Sequence, residues 1–336
     1  MVFLKRKMIL LHEIVDTFVL LGTLLGVTGT YWDIQHHILI GRDSFWIEPH
    51  LMVYAGVVLV FIGSLIGLFE AYSFKNKEIS NRYFYAILAI LISVIFQMGL
   101  AFFDNYWHQL FGLDVTVWSP PHLLLITAGC MISLSYIYFE RLSMKLSSMK
   151  SNFKKTSILE SEFMLAIVFI GFNIILAEFE FFQIIPMEHV SQLRNPLIYL
   201  IFLNILFSFL IAFGSRIISR KWIATKVVIF YLIIRFLTNT FLLENGASPI
   251  IPLFLIFPAI VFDLLSNIFS KNKFLIAAAT SLTFVISSYV YFSFINIERY
   301  AGFSSLYYFL VICFGIISYY FGDVIGKKLM EHLNLY

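Results

Sequence analysis

The chain has 336 residues, of which 60% are hydrophobic and only 13% are charged, whereas soluble domains carry about 25% charged residues. This composition excludes a cytosolic globular enzyme, an intrinsically disordered chain, a disulfide-stapled secreted fold and a protein that binds nucleic acid through a basic face. The net charge of +3 indicates no acidic partner. The two cysteines lie inside apolar runs and are expected to be buried thiols.

Long apolar runs separated by polar breaks predict ten membrane-crossing helices, because about 20 helical residues cross the hydrocarbon core of a bilayer. The predicted spans are centred in residues 9–32, 51–72, 83–103, 122–139, 161–182, 197–215, 223–243, 250–270, 274–295 and 304–325. The sequence therefore predicts an all-α fold, a polytopic membrane bundle of about ten transmembrane helices.

The basic residues predict how the chain is oriented in the membrane. Alternate connections between the predicted spans hold 19 of the 23 Lys and Arg residues, and the intervening connections hold three. Because basic connections stay in the cytoplasm, both termini are predicted to be cytoplasmic. The chain is thus expected to be a multi-pass protein of the cell membrane, with the lipid bilayer as its first partner.

The first two connections on the predicted outer side repeat one another. One reads YWDIQHHILIGRDSFWIEPHL from Tyr31 to Leu51, and the other reads FFDNYWHQLFGLDVTVWSPPHL from Phe102 to Leu123. Eight positions match when one inserted residue is allowed: Asp33 and Asp104, His37 and His108, Gly41 and Gly112, Asp43 and Asp114, Trp46 and Trp118, Pro49 and Pro121, His50 and His122, and Leu51 and Leu123. The repeat predicts a duplicated four-helix unit over residues 1–140, followed by a six-helix membrane unit over residues 141–336.

Each copy of the repeat contains one Asp and two His at positions that favour metal binding. Asp33 and His37 are four residues apart, which places their Cβ atoms about 6 Å apart on one face of a helix. His50 follows Pro49, a residue favoured in the first turn of a helix, so His50 is expected where the second span re-enters the membrane. The hairpin should therefore bring Asp33, His37 and His50 together, and the second copy should do the same with Asp104, His108 and His122.

Three such ligands with an open fourth position suit copper, zinc or non-haem iron. Arg42, Asp43 and Asp114 are expected to orient the imidazoles and to balance charge. Two alternatives remain open: a belt of polar residues at the membrane interface, and a hairpin cap in which Arg42 pairs with Asp33 or Asp43. In the second copy no basic residue accompanies Asp104 and Asp114, and this favours a bound cation.

The repeated segment resembles the C-type subunit of the copper membrane monooxygenases, the particulate methane and ammonia monooxygenases. That family carries an Asp-x3-His pair, then an Arg-Asp pair and a Pro near a second His, and the segment from Asp33 to His50 follows this order. In the second copy, Trp107, His108 and Gln109 are similar to the Trp-His-Gln sequence often found around the family's first His. The resemblance covers about forty residues and implies copper bound by the Asp and the two His.

The leading hypothesis from the sequence is a membrane metal-binding protein, with copper at its outer side. The resemblance implies a monooxygenase or oxidase, or a subunit of one, that works with a small apolar substrate and with other membrane subunits. The alternatives are a metal-ion or proton transporter built from duplicated hairpins and a non-catalytic membrane subunit. A transporter should carry acidic or His residues at mid-membrane depth, whereas the repeated residues are expected at span ends.

Two further groups of polar residues lie within or beside the predicted spans. Arg235 and Asp263 are predicted to form a buried ion pair. Acidic residues near the cytoplasmic boundary are expected to reach the headgroups or to pair with nearby Lys and Arg: Glu13, Asp16, Glu140, Glu160 and Glu162.

Overall fold

The structure is a computed structural model of the chain. It describes residues 2–39, 45–72, 77–112, 117–149, 159–179, 182–184, 196–243, 248–295 and 304–332. Within these ranges, only the backbone is described at residues 2–10, 37–39, 77–80, 144–149, 178, 182–184, 196–197 and 248.

The described residues are almost entirely helical. The α-helices are α1 (Val2–Leu39), α2 (Glu48–Tyr72), α3 (Lys77–Phe111), α4 (Pro120–Met149), α5 (Glu160–Ile174), α6 (Pro196–Ile218), α7 (Ile223–Leu243), α8 (Ile256–Ile268), α9 (Lys273–Phe294) and α10 (Ser305–His332). Eight of these helices are long and apolar enough to cross a membrane, so the chain is a multi-pass membrane protein. Two short strands, β1 (Phe182–Ile184) and β2 (Ser248–Pro249), pair in an antiparallel fashion.

Two of the ten predicted spans correspond to helices that are too short to cross a bilayer by themselves. Helix α5 has 15 residues and α8 has 13, whereas a straight crossing needs about 20. Helix α5 is followed by a 3₁₀ turn (Ala177–Phe179), and α8 is preceded by another (Leu253–Leu255). The apolar runs at these two places are therefore shared between a helix and a turn, which hydropathy alone does not distinguish from a continuous span.

The chain divides into two compact units. The first comprises residues 1–178 and 237–246, and the second comprises residues 179–236 and 247–336. In the first unit, each of the helices α1 to α5 packs on the next, and α5 also packs on α1. In the second unit, α10 packs on α6 and α9, and α9 also packs on α8. A division at residue 140 stays a prediction, but α5 packs against helices of the repeated segment.

Glycines bring α1 and α2 into close contact in the first unit. A Cβ atom added at Gly22 would lie 2.6 Å from the carbonyl oxygen of Gly56, and one added at Gly56 would lie 2.5 Å from that of Gly22. Small residues of this kind let two helix backbones approach each other inside a membrane. The close approach fixes the register of the two helices and so brings the end of α1 beside the start of α2.

Large apolar side chains cover the outer surface of several helices. Ile92 and Phe96 are exposed on α3, as are Phe309 and Phe321 on α10. Membrane-spanning helices present such side chains to lipid tails, so these helices contact the lipid bilayer.

In the second unit, the ion pair predicted between Arg235 and Asp263 is wrong. Asp263 accepts hydrogen bonds from the backbone amides of Ala224 (3.2 Å) and Thr225 (2.8 Å), in the first turn of α7. Arg235 lies about 16 Å further along α7, where it donates to the carbonyl oxygen of Ile250 at 3.4 Å. Asp263 therefore binds the amides at the helix N-terminus, where the backbone N–H groups lack partners within the helix.

Candidate metal site

The repeated residues lie at four helix ends that meet at one end of the first unit. Helix α2 begins at Glu48 and α4 begins at Pro120, so His50 and His122 are each the third residue of a helix. This is the position that the sequence predicts for them, since proline suits the first helical turn. Asp33 lies near the end of α1, and Asp104 and His108 lie near the end of α3. Each hairpin thus brings the end of one helix to the start of the next.

The second copy of the repeat brings its three residues together. The Nε2 atom of His108 lies 3.3 Å from Oδ1 of Asp104, and the Nε2 atom of His122 lies 3.2 Å from the same oxygen. The ligand atoms of the three residues all lie within 4.8 Å of one another, so the group could hold a metal ion. Bonds of about 2.1 Å in a tetrahedron would separate neighbouring ligand atoms by about 3.4 Å. The two distances to Oδ1 of Asp104 match this separation, and the two imidazole nitrogens lie within 4.8 Å of each other.

The ring of His108 is oriented by the chain that ends α3. Its Nδ1 atom lies 3.2 Å from the carbonyl oxygen of Gly112, and the Gly112 amide donates to the carbonyl oxygen of His108 at 3.0 Å. A carbonyl oxygen only accepts, so Nδ1 carries the hydrogen and Nε2 faces Asp104. Gly112 adopts φ +85°, the left-handed conformation that glycine favours at a helix C-terminus. Metal-binding histidines commonly bond a backbone carbonyl through their second nitrogen in this way.

In the first copy, the two described side chains make a direct contact. The Nε2 atom of His50 lies 2.9 Å from Oδ1 of Asp33, and its Nδ1 atom lies 3.1 Å from the carbonyl oxygen of Phe45. As in His108, Nδ1 faces a backbone carbonyl oxygen and Nε2 faces the carboxylate, but here the distance between Nε2 and the carboxylate oxygen is shorter. The side chain of His37 and the whole of Arg42, Asp43 and Asp114 lie outside the described residues, and the roles predicted for them stay predictions.

Both copies of the repeat face one cavity. It has a volume of about 60 Å³, and Asp33, His50, Asp104 and His122 all line it. Thr30, Tyr54 and Gln97 are also in its wall. A cavity of this volume is several times larger than the space a single water molecule requires. A small ligand could therefore reach an ion held at the second copy, with the Asp33 and His50 pair in the same cavity.

A second polar cluster, which the sequence analysis did not identify as a site, lies at the opposite end of the first unit. His12 and Asp16 on α1, Glu70 on α2 and Glu140 on α4 are all buried. His12 Nε2 lies 3.5 Å from Asp16 Oδ2 and 3.6 Å from Glu140 Oε1, and these three residues could hold a metal ion. Asp16 and Glu140 were expected to reach the lipid headgroups or to pair with nearby Lys and Arg; both side chains are buried, so the first of these roles is wrong. The spacing of four residues between His12 and Asp16, inside an apolar run, is the signal that could have identified the cluster.

No family model, curated protein or solved structure matches this chain. The resemblance to the C-type subunit of the copper membrane monooxygenases therefore stays a prediction. Any assignment of function rests on the residues of the site and on their geometry.

Proposed function

We propose that this chain is an integral membrane metalloprotein that binds a transition-metal ion between Asp104, His108 and His122. The observation that carries the proposal is the placement of one carboxylate oxygen 3.2 and 3.3 Å from two imidazole nitrogens. Hydrogen bonds between charged groups of this kind are usually about 2.7–2.9 Å long. The longer distances fit three ligands arranged around one ion.

Copper is the first candidate for the ion. Two imidazoles and one carboxylate are suitable ligands for Cu²⁺, Zn²⁺ and Fe²⁺, of which Cu²⁺ generally binds such a set most tightly, and this donor set holds no sulfur ligand that would select Cu⁺. The resemblance of the repeated segment to a copper protein favours copper among these ions. Following the distribution of basic residues, this end of the bundle would face away from the cytoplasm.

The distribution of ionisable residues along the helices favours a permanently bound ion over a transport path. A path for a cation should carry ionisable groups at mid-membrane depth. On α1, about 25 Å separates Asp16 from Asp33, and the 16 residues between them contain no ionisable side chain other than Tyr31. The central segments of α2, α3 and α4 also lack His, Asp, Glu, Lys and Arg: residues 51–69, 83–103 and 123–139.

An ion bound here would supply dioxygen chemistry, so the activity that fits such a site is oxidation of a small apolar molecule by dioxygen, with two electrons from an external donor reducing the second oxygen atom to water. Two features support this part of the proposal: the resemblance to the monooxygenase family, and a second cavity of about 50 Å³ beside the first. Aliphatic side chains and glycines make up most of its wall, and Thr30 and Gln97 line both cavities. The two cavities together could admit an apolar molecule from the interior of the bundle to the metal end.

Metal analysis of the full chain, purified in detergent, tests the proposal. The parent protein is expected to bind Cu²⁺ with an electron paramagnetic resonance spectrum that shows two coupled imidazole nitrogens. His122→Ala should reduce the number of coupled nitrogens to one. Gln109→Ala is the matched control, because Gln109 is exposed and adjoins His108 in the sequence. A parent spectrum without nitrogen coupling, or one that His122→Ala leaves unchanged, would overturn the proposal.

A further inference from the structure

The buried cluster at the opposite end of the first unit has the geometry of a cation site. Nε2 of His12, Oδ2 of Asp16 and Oε1 of Glu140 lie within 4.8 Å of one another. The two distances from His12, 3.5 and 3.6 Å, are close to the ligand separation of about 3.4 Å around a tetrahedral ion. About 32 Å of α1 separates His12 from Asp33, so this cluster is distinct from the site described above.

Two tyrosines orient the ligand atoms of the cluster. The hydroxyl of Tyr83 donates to Oε2 of Glu70 at 2.6 Å and lies 3.0 Å from Nδ1 of His12. Since this hydroxyl has one proton, its oxygen accepts from His12, so Nδ1 carries the hydrogen and Nε2 faces the two carboxylates. Tyr136 donates to Oδ1 of Asp16 at 2.8 Å and leaves Oδ2 directed at His12. Hydrogen bonds of this kind commonly hold metal ligands in place.

The charges of the cluster favour a dication over a proton. Asp16, Glu70 and Glu140 each place an oxygen within 3.8 Å of the single imidazole of His12. Burial of like charges at such distances is costly unless a cation compensates them. A protonated His12 would compensate one charge, whereas a divalent ion beside a neutral His12 would compensate two. The Oε1 atom of Glu70 is also buried and accepts no hydrogen bond from the described residues.

We propose that His12, Asp16 and Glu140 form a second metal site that takes a divalent ion of the Zn²⁺, Fe²⁺ or Mn²⁺ class, with the carboxylate of Glu70 nearby as a further negative charge. One imidazole and two carboxylates make a harder donor set than the two imidazoles and one carboxylate at the other end. The second site is therefore better suited to a hard ion such as Mn²⁺ than the first site is. Residues 83 and 87, which follow His12 and Asp16 by the 71-residue offset of the repeat, are Tyr and Ile, so the second copy contributes no equivalent of this pair.

The test uses the full chain in detergent, with both copies of the repeat disabled by the triple substitution His50→Ala, His108→Ala and His122→Ala. This background protein is expected to bind one Zn²⁺ or Mn²⁺ per chain. Glu140→Gln keeps the size of the side chain but removes a charged ligand. Loss of a residue that supports a metal ligand weakens metal binding by roughly 10- to 100-fold. Because Glu140 is itself a proposed ligand, Glu140→Gln should weaken Zn²⁺ binding by more than this. Glu13→Gln is the matched control, because Glu13 adjoins His12 and is exposed, and it should leave Zn²⁺ binding unchanged.

Thermal unfolding separates a metal site from a network of hydrogen bonds. In the presence of a chelator, Glu140→Gln should raise the Tm of the background protein, because it removes one of the crowded negative charges. Added Zn²⁺ should raise the Tm of the background protein and not that of Glu140→Gln. The proposal is overturned if the background protein binds no Zn²⁺, if Glu140→Gln binds Zn²⁺ as the background does, or if Glu140→Gln melts lower in chelator. The loss of one coupled nitrogen in His122→Ala tests the first site, so the two proposals fail separately.

Discussion

Replacement of Gly112 by alanine tests how the end of α3 supports the metal site. Gly112 adopts φ +85°, and its carbonyl oxygen accepts the hydrogen bond that orients His108. An added Cβ would meet no atom within 4 Å, so the cost of Gly112→Ala is conformational and not a clash. For an L-residue the left-handed conformation costs about 1–2 kcal/mol. The turn is expected to relax in the metal-free variant, and binding must then restore it.

This conformational cost should appear as a loss of metal affinity. A penalty of about 1–2 kcal/mol corresponds to Cu²⁺ binding about 5- to 30-fold weaker than in the parent protein. Competition titration against a chelator of known affinity measures this ratio in detergent. Gly99→Ala is the matched control, because Gly99 lies inside α3 with open space around it. That change should leave Cu²⁺ affinity unaltered and stabilise the helix by about 0.5–1 kcal/mol. Equal Cu²⁺ affinities for Gly112→Ala and the parent would refute the reasoning.

Three further substitutions test the packing and the buried polar contacts. Gly56→Leu should lower the free energy of unfolding by about 1–3 kcal/mol or more, since α1 leaves no room for a side chain there. Denaturant titration of the variant in detergent measures this loss. Stability equal to that of the parent would contradict the close contact between α1 and α2. Tyr83→Phe removes the hydrogen bond to the buried carboxylate of Glu70 and should lower the free energy of unfolding by about 1.5–3 kcal/mol. The variant should therefore have a lower Tm than the parent in the presence of a chelator. An unchanged Tm would count against that hydrogen bond. Asp263→Ala should lower the free energy of unfolding by about 1 kcal/mol, because two amides in the first turn of α7 lose their acceptor. Amide hydrogen exchange at this turn should be faster than in the parent. Equal exchange rates would contradict the capping role of Asp263.

The fold class and the repeat could be predicted from the sequence because both depend on local patterns. Apolar runs of about 20 residues identify helices that cross a membrane, and the described part of the chain contains eight helices long and apolar enough to do so. The repeated Asp and His residues lie at helix ends, where Pro49 and Pro121 already indicate that a helix begins. Spacing along one helix was sufficient to place Asp104 and His108 together.

Contacts between distant parts of the chain could not be predicted in this way. The cavity that both copies line depends on how α1 to α4 pack, and the cluster around His12 joins residues from four helices. Arg235 and Asp263 were paired because both are charged residues in neighbouring apolar runs, although Asp263 binds backbone amides that composition does not reveal. The short helices α5 and α8 escaped recognition because hydropathy measures apolar length and does not report where a helix ends.

The most direct test of the central claim is anomalous X-ray diffraction, recorded at the absorption edge of the bound metal on crystals of the full chain. The account predicts a peak about 2.0–2.2 Å from Oδ1 of Asp104 and from Nε2 of both His108 and His122. Crystals that contain stoichiometric metal but show no anomalous peak between these three atoms would contradict it.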